Sequence, residues 1–425
     1  MNSDDHVLAP LPERAARQAG VFERFARGTV AAALQGIDDG MLIFHEREEC
    51  MVFGTEGCEL QATVRVHDPA FWTMTAFGGT IGAAEAYLRR MWDCDDLTAL
   101  IRIMVRSQNS QRRMESGNAR VAALVQRILH QLNDNTRGGS RRNIAAHYDL
   151  GNDFYQLFLD PTMAYSCGIF EKSNSSMEAA SIAKFDHICR ALELTEGMRL
   201  LEIGTGWGSF AIHAARNYGC RVTTTTISAE QHALARQRVR EAGLEGRITL
   251  LAKDYRDLTG EYDRLVSIEM IEAVGHRRLP SFFRVCSDRL KPDGLALIQA
   301  ICVPDRIYGN YLRHPDFINR YIFPGGCCPS PGALAAAAAG HTDLRLLRQE
   351  DFSSHYARTL REWRKAFNNH LSDVRALGFD ERFIRMWDYY LCYCEGGFVE
   401  EFTTLLQLLY AKPGYRSGST RGGAR

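Results

Sequence analysis

Nowhere in its 425 residues does the chain carry the ~20 consecutive apolar residues that a membrane-crossing helix needs. Its alanine run, Ala335 to Ala339, is part of a short helix. Met1 to Arg14 contains Asp4 and Asp5 and no apolar core, so neither a signal peptide nor an anchor is expected there, and the expected compartment is the cytoplasm. C-x-x-C pairs are missing as well. Of the twelve cysteines the close ones are Cys327-Cys328 and Cys392-x-Cys394, neither with zinc-ligand spacing, so no metal is expected. In a reducing compartment they are free thiols, most of them small buried hydrophobes. Neither charge is in excess, since 51 Lys and Arg face 51 Asp and Glu. That balance gives no reason to expect a nucleic-acid partner and leaves membrane contact to local patterning.

What is present changes character near residue 135. Before it, 14–35 reads as a helix with Val21, Phe22, Phe25 and Val30 on one side. Alternating segments at 41–44, 51–53, 60–66 and 71–77, separated by Gly54, Gly57 and Asp68-Pro69, predict strands of a small sheet, and 81–91 predicts a helix. Residues 1–135 are therefore expected to form a separate α+β domain. Between 101 and 142, Arg102, Arg106, Arg112, Arg113, Arg120, Arg127, Arg137, Arg141 and Arg142 face only Glu115 and Asp134. Such a stretch is either a solvated helix and linker, for which Arg137-Gly-Gly-Ser speaks, or a patch for an anionic leaflet, where each charge adds ~1 kcal/mol.

Beyond it, apolar runs at 198–203, 221–227, 248–254, 262–270 and 294–302 alternate with helical patterns at 179–193, 209–217, 229–243 and 277–290. Repeated β-α-β units predict a parallel sheet covered on both faces, with ligands outside the C-terminal strand ends. The Pro- and Gly-containing stretch from 303 to 331 predicts an irregular lid or substrate loop. Helices over 332–339, 358–376 and 380–394 and strands over 343–351 and 405–411 complete a domain spanning 136–415, and the Ser, Gly and Arg of 416–425 predict a disordered tail.

The first apolar run ends in Leu201-Glu-Ile-Gly-Thr-Gly-Trp-Gly208. Strand, glycine turn and helix let backbone N–H groups approach a ligand with no Cβ in the way. Dinucleotide enzymes also use such turns, with the spacing G-x-G-x-x-G; Gly204-x-Gly206-x-Gly208 with Glu202 two residues ahead resembles the S-adenosylmethionine turn of methyltransferases. Ser228 and Glu230 cap the next helix after Thr226-Ile227, leaving Gln231 and backbone for ribose or methionine contacts. Asp254 is placed to accept from an adenine amino group and Tyr255 to cover the ring.

His147-Tyr-Asp-Leu-Gly-Asn-Asp-Phe154, Tyr165-Ser-Cys-Gly168, the glycine turn, Thr226-Ile-Ser-Ala-Glu-Gln231, Ile322-Phe-Pro-Gly-Gly326 and Cys394-Glu-Gly-Gly-Phe398 occur in that order. Together they resemble the cyclopropane-fatty-acyl-phospholipid synthase family over about 142–413. Phe77-Gly-Gly-Thr-Ile-Gly-Ala-Ala-Glu-Ala-Tyr87 and Trp92-x-Cys-Asp-Asp-Leu97 resemble its smaller lipid-binding domain. The resemblance implies an α/β fold: a class I Rossmann-like methyltransferase domain with a smaller N-terminal α+β lipid-binding domain. It implies a peripheral enzyme at the inner face of the membrane, often a homodimer, that methylates a cis double bond of a phospholipid acyl chain and closes a cyclopropane. The implied cofactor contacts are Tyr165, Ser166, Gly204, Gly206, Gly208, Thr226, Ile227, Gln231, Asp254 and Tyr255.

The implied reaction passes through a carbocation, which requires a dry site lined by aromatic faces and a weak base. In the family that base is a bicarbonate, and the matching residues here are Cys167, Glu272, Tyr356 and Cys394. The family's histidine is replaced by Gln299, which can donate a hydrogen bond but cannot carry a charge. Many members have Gly where this chain has Glu269, a second carboxylate near Glu272. Either Gln299 suffices and the ring forms, or the product is a methyl- or methylene-branched chain; methyl transfer to a small amine and an inactive lipid-binding relative are further alternatives. Cys167 reads equally as a structural thiol, and Glu272 is also open to reading as a buried carboxylate satisfied locally.

Overall fold

The computed structural model describes residues 19–107, 150–314 and 316–416, in two compact units, 1–122 and 123–425. The arginines from Arg112 to Arg142, His147-Tyr148-Asp149 and the tail from Ser417 lie outside the described residues. Of the remaining basic residues in that stretch, Arg106 pairs with Asp39 at 3.0 Å.

The first unit runs α1 (Val21–Leu34), β1 (Met41–Glu46), β2 (Glu49–Gly54), β3 (Gln61–Val66), α2 (Ala70–Leu88), β4 (Trp92–Cys94) and α3 (Leu97–Arg106). Its sheet has the order β2-β1-β3-β4, with β1 parallel to β3 and the other neighbours antiparallel. The strand expected over 71–77 is helical instead. Asp68 Oδ1 accepts from the Ala70 N–H at 2.9 Å, starting a turn at Pro69, and the residues that become buried, Phe71, Trp72, Thr75 and Gly79, follow helical rather than alternate spacing. Aromatic residues suggested a strand because they favour pleated surfaces, but here they cover one: Trp72 and Phe71 pack on Phe44 of β1. Gly79, at φ 58 and ψ −143, bends α2, and a Cβ on Gly82 would lie 2.0 Å from the Met74 carbonyl oxygen, so the bend needs glycine. The expected α1 stripe is also corrected. Ala26, Val30, Ala33 and Leu34 are buried, whereas Val21, Phe22 and Phe25 are exposed.

The second unit comprises α4 (Asn152–Gln156), α5 (Met177–Ala191), β5 (Arg199–Ile203), α6 (Ser209–Asn217), β6 (Arg221–Thr225), α7 (Ala229–Glu241), β7 (Ile248–Leu251), β8 (Tyr262–Ile268), α8 (Leu279–Asp288), β9 (Leu290–Cys302), α9 (Asp305–Tyr311), α10 (Pro331–His341), β10 (Arg345–Asp351), α11 (Ser353–Asn369), α12 (Leu371–Ala376), α13 (Glu381–Val399) and β11 (Thr404–Ala411). Among the described residues the sheet has the order β10-β11-β9-β8-β5-β6-β7. Strands β5 to β9 are parallel to their neighbours, and β11 enters antiparallel between β9 and β10. The stretch expected to be irregular contains α9 and a π-helical turn at Ile318–Ile322, and the helix expected over 358–376 is broken at His370.

Strand alternation divides the core into two layers. Leu201, Ile203, Leu265, Ala296 and Ile298 face Leu279, Phe282 and Phe283 of α8 and Leu334 of α10. Leu200, Val222, Val266, Leu295 and Leu297 face Phe185 and Ile188 of α5 and Phe210 and Ala214 of α6. With both faces covered, the remaining approach for a ligand is an edge, and the strand order reverses between β5 and β8, whose C-terminal ends lie there. No helix among the described residues is long and apolar enough to cross a membrane. Phe282 is fully buried against Tyr255 and Phe283, so Phe282→Ala is expected to lower stability by about 3–5 kcal/mol, measured as a drop in the urea midpoint at unchanged slope.

Candidate active site

The turn after β5 is built as its spacing requires. Gly204, Gly206 and Gly208 have φ values of 105, 51 and 86, a region side chains avoid. Gly204 and Thr205 donate to the Thr225 carbonyl at 3.2 and 3.0 Å, which locks the turn to the end of β6. A Cβ on Gly204 would press Met270 at 3.1 Å and one on Gly208 would press Ala235 at 3.3 Å, whereas one on Gly206 would meet nothing within 4 Å. The crest of the turn therefore has room beside its backbone, next to the N-terminus of α6. Trp207 Nε1 donates to Asn152 Oδ1 at 2.7 Å, tying the motif around α4 to this turn.

At the neighbouring strand ends, Thr226 Oγ1 donates to Gln231 Oε1 at 3.0 Å, and Ser228 caps α7 by accepting from the Gln231 N–H at 3.2 Å. Ile227 lies between them in the same β6–α7 connection. Asp254 accepts from Arg256 Nε at 2.7 Å and Nη2 at 2.6 Å, so the acceptor expected to meet an adenine is held by a neighbour from its own turn. Tyr255 turns its ring onto Phe282, with its hydroxyl buried and without a partner. Tyr165 hydrogen-bonds Tyr390 at 2.9 Å, and Ser166 accepts from Lys184 Nζ at 2.6 Å. These groups fit S-adenosylmethionine in kind: an open glycine crest, a buried amide, and hydroxyls at adjacent strand ends.

The residues matched to an anion site converge, but on a carboxylate of the chain itself. Glu269 Oε1 accepts from the Cys167 backbone N–H at 2.9 Å and from Gln299 Nε2 at 2.7 Å, while Oε2 accepts from the Tyr356 hydroxyl at 2.5 Å. Gln407, opposite Gln299 on β11, donates to Gln299 Oε1 at 2.9 Å and fixes which end of that amide meets Glu269. Cys167 contributes its N–H, while its thiol, pushed up by burial and then by Glu269, donates to the Gly168 carbonyl at 3.2 Å. Three of the donors implied for a bicarbonate, the Cys167 N–H, Gln299 and Tyr356, are thus occupied by Glu269, and a bicarbonate does not fit between them.

Glu272 stands outside this set. One of its oxygens accepts from the Ile301 N–H at 2.6 Å and the other is buried without a partner; burial, then the charge of Glu269, pushes it up to about 8. Burial also raises Glu269, but Tyr356, the Cys167 N–H, Lys184 and Gln299 oppose it. At neutral pH the anion of the pair is assigned to the carboxylate with the donors. Cys394 lies one helical turn before Phe398 on α13 and makes none of the bonds to Glu269; Phe398 stacks on Tyr356 at 4.5 Å, and Tyr356 meets Trp363 at 6.2 Å.

Sequence reasoning missed Lys184, fully buried yet cationic in type, and Gln407; neither lies in a motif. It recorded Glu269 only as an extra acid. A backbone signal marks it: Glu269 has φ 49, a left-handed conformation costing a side chain on the order of 1–2 kcal/mol.

Glu202, just before the turn, is buried with one oxygen unpartnered, and burial pushes it up to about 8 despite a bond from Thr224. Folded protein holds this proton where unfolded chain, near pKa 4.5, has lost it, so its contribution to stability falls as pH rises from about 4.5 to 8 and is flat above. Glu202→Gln is expected to lose less stability than the parent between pH 5 and 8, measured by urea midpoints across that range.

A family model described as mycolic acid cyclopropane synthetase matches residues 136–408. The tuberculostearic acid methyltransferase of Mycobacterium tuberculosis is 38% identical over 354 residues, 79% of this chain and 80% of the relative. A cyclopropane-fatty-acyl-phospholipid synthase of Escherichia coli is 34% identical over 363 residues, 83% of this chain and 88% of the relative. Among solved structures, a cyclopropane synthase from Mycobacterium tuberculosis superposes with a TM-score of 0.60 at 33% identity, over 64% of this chain and 98% of its own. A mycolic acid cyclopropane synthase complexed with SAH and CTAB gives 0.60 at 31% identity, with the same coverage. The second unit has the Rossmann-like methyltransferase fold of these neighbours, and the chain belongs to the mycolic acid cyclopropane synthetase family as an S-adenosylmethionine-dependent methyltransferase.

Proposed function

We propose that the protein transfers the methyl group of S-adenosylmethionine to a cis double bond in a phospholipid acyl chain, and that loss of a proton then closes a cyclopropane. The observation that carries this reading is a donor-held carboxylate at the ligand edge of the sheet, Glu269, bonded by Tyr356, whose ring in turn stacks on Phe398 and meets Trp363. A polar acceptor such as an amine needs no such rings; a carbocation does.

Bound S-adenosylmethionine supplies a methyl group on a positively charged sulfur, an electrophile for an alkene. The π pair forms the new carbon–carbon bond and the adjacent carbon is left cationic. Ring faces of Tyr356 and Phe398 stabilise that charge, and tight aromatic packing excludes the water that would quench it. In this reading Gly204, Gly206, Gly208, Thr226, Ile227 and Gln231 bind the cofactor, with Asp254, Tyr255, Tyr165 and Ser166 shaping the walls. Cys167, Gln299 and Tyr356 hold the catalytic anion, Glu272 stays protonated beside it, and Cys394 backs Phe398.

A second reading, branching without ring closure, is favoured by the likeness to a tuberculostearic acid methyltransferase and by the uncharged Gln299. Migration of a hydride from the methylated carbon to the cation, followed by loss of the same proton, gives a methylene branch. The phospholipid substrate, with residues 1–135 as a lipid-binding domain acting peripherally at the cytoplasmic face of the membrane, draws support from the Escherichia coli relative, whose alignment is longer than the second unit.

Incubated with S-adenosylmethionine and vesicles of monounsaturated phospholipid, the full chain is expected to add one CH2 to an acyl chain. Resistance of that product to hydrogenation identifies the ring, uptake of hydrogen a methylene branch, and an unaltered lipid profile sinks both. Gln231→Ala is expected to weaken S-adenosylmethionine binding about tenfold, or ~1.4 kcal/mol, by calorimetry.

A further inference from the structure

We propose that the Glu269 carboxylate is itself the base that takes the proton from the methylated acyl chain, so that this chain needs no bound anion. The inference rests on the reading of the reaction as alkene methylation. Three donors from three distant segments, the Cys167 N–H, the Gln299 amide and the Tyr356 hydroxyl, converge on this one side chain. A side chain merely filling space would not draw both oxygens into bonds, nor would a glutamate be expected at φ 49, where glycine is the unstrained choice. Backbone strain held against such a donor set marks a group whose position matters. Around it Cys167, Gln299 and Tyr356 are closed from solvent, while Glu269 is the one residue of the four that is not fully buried. Lys184, buried against Ser166, favours the ionised carboxylate from nearby, although burial lowers the lysine's own pKa.

The balance of the step is simple. The methyl group has joined one alkene carbon and the other carbon is cationic. Glu269 takes one proton from that methyl group, and the C–H electron pair closes the bond to the cationic carbon, giving the cyclopropane. After a hydride shift to the first cationic carbon, the cation sits on the methylated carbon and the same C–H pair forms the C=CH2 double bond of a methylene branch instead. In both cases Glu269 becomes a carboxylic acid and returns its proton to water once product leaves. Gln299 serves as donor and needs no charge of its own, which accounts for an uncharged residue at that position.

The test uses the full chain with S-adenosylmethionine and monounsaturated phospholipid vesicles, comparing the parent with Glu269→Gln and Glu269→Gly. The parent is expected to form methylated lipid at the same rate in buffer stripped of bicarbonate. Glu269→Gln is expected to lower product formation about 100-fold or more, with S-adenosylmethionine affinity unchanged within about twofold. Glu269→Gly relieves the left-handed backbone and vacates the space between the donors, so it is expected to melt no lower than the parent and to regain activity when bicarbonate or formate is added. A parent that slows in stripped buffer, or a Glu269→Gln variant within about threefold of the parent, overturns the assignment while leaving alkene methylation intact. A parent that never modifies the lipid overturns the reading of the reaction and this inference with it.

Discussion

Three hydrogen-bond donors aimed at one carboxylate set the constraint that the rest of the catalytic unit serves. Cys167 arrives on the segment before α5, Gln299 on β9, Tyr356 on α11, and Glu269 at the end of β8. None of these elements would meet the others unless the sheet were closed on both faces. The two core layers, Phe282 and Phe283 below and Phe185 and Phe210 above, hold β8 and β9 rigid enough for an amide and a carboxylate to meet at 2.7 Å. β11 completes the arrangement, because its antiparallel entry beside β9 sets Gln407 against Gln299.

The same sheet edge sorts two kinds of chemistry. Toward β5 and β6 it offers backbone: an open glycine crest and the Thr226–Gln231 pair, suited to a polar nucleoside. Toward β8 and β9 it offers one anion among aromatic rings, suited to a hydrocarbon with a passing positive charge. Two carboxylates within electrostatic reach cannot both ionise cheaply in such surroundings. The donors settle which one does, and Glu272, pushed up to about 8, becomes the neutral partner.

Much of this was legible in the residues. The β-α alternation, the glycine turn and the cap at Ser228 are local patterns whose meaning depends on neighbours a few positions away, and they form where expected. The strand expected at 71–77 went wrong because Phe71, Trp72 and Phe77 suit a sheet by type; the Asp68-Pro69 start and the bend at Gly79 make them a helix that covers the sheet instead. Lys184 was invisible for a similar reason, since nothing in its helix says that it will be buried.

The sequence by itself determined a parallel sheet, the glycine turn at the end of its first strand, and the set of polar residues near its edge. These follow from periodicity and from glycine's freedom at positive φ, which are properties of the chain. Only the tertiary structure decided that the donors face Glu269 rather than an external anion, and that Glu272 is left with one backbone bond. Hydrogen bonding acts over about 3 Å, and residues 167, 269, 299 and 356 come within that reach only after helices and strands have packed.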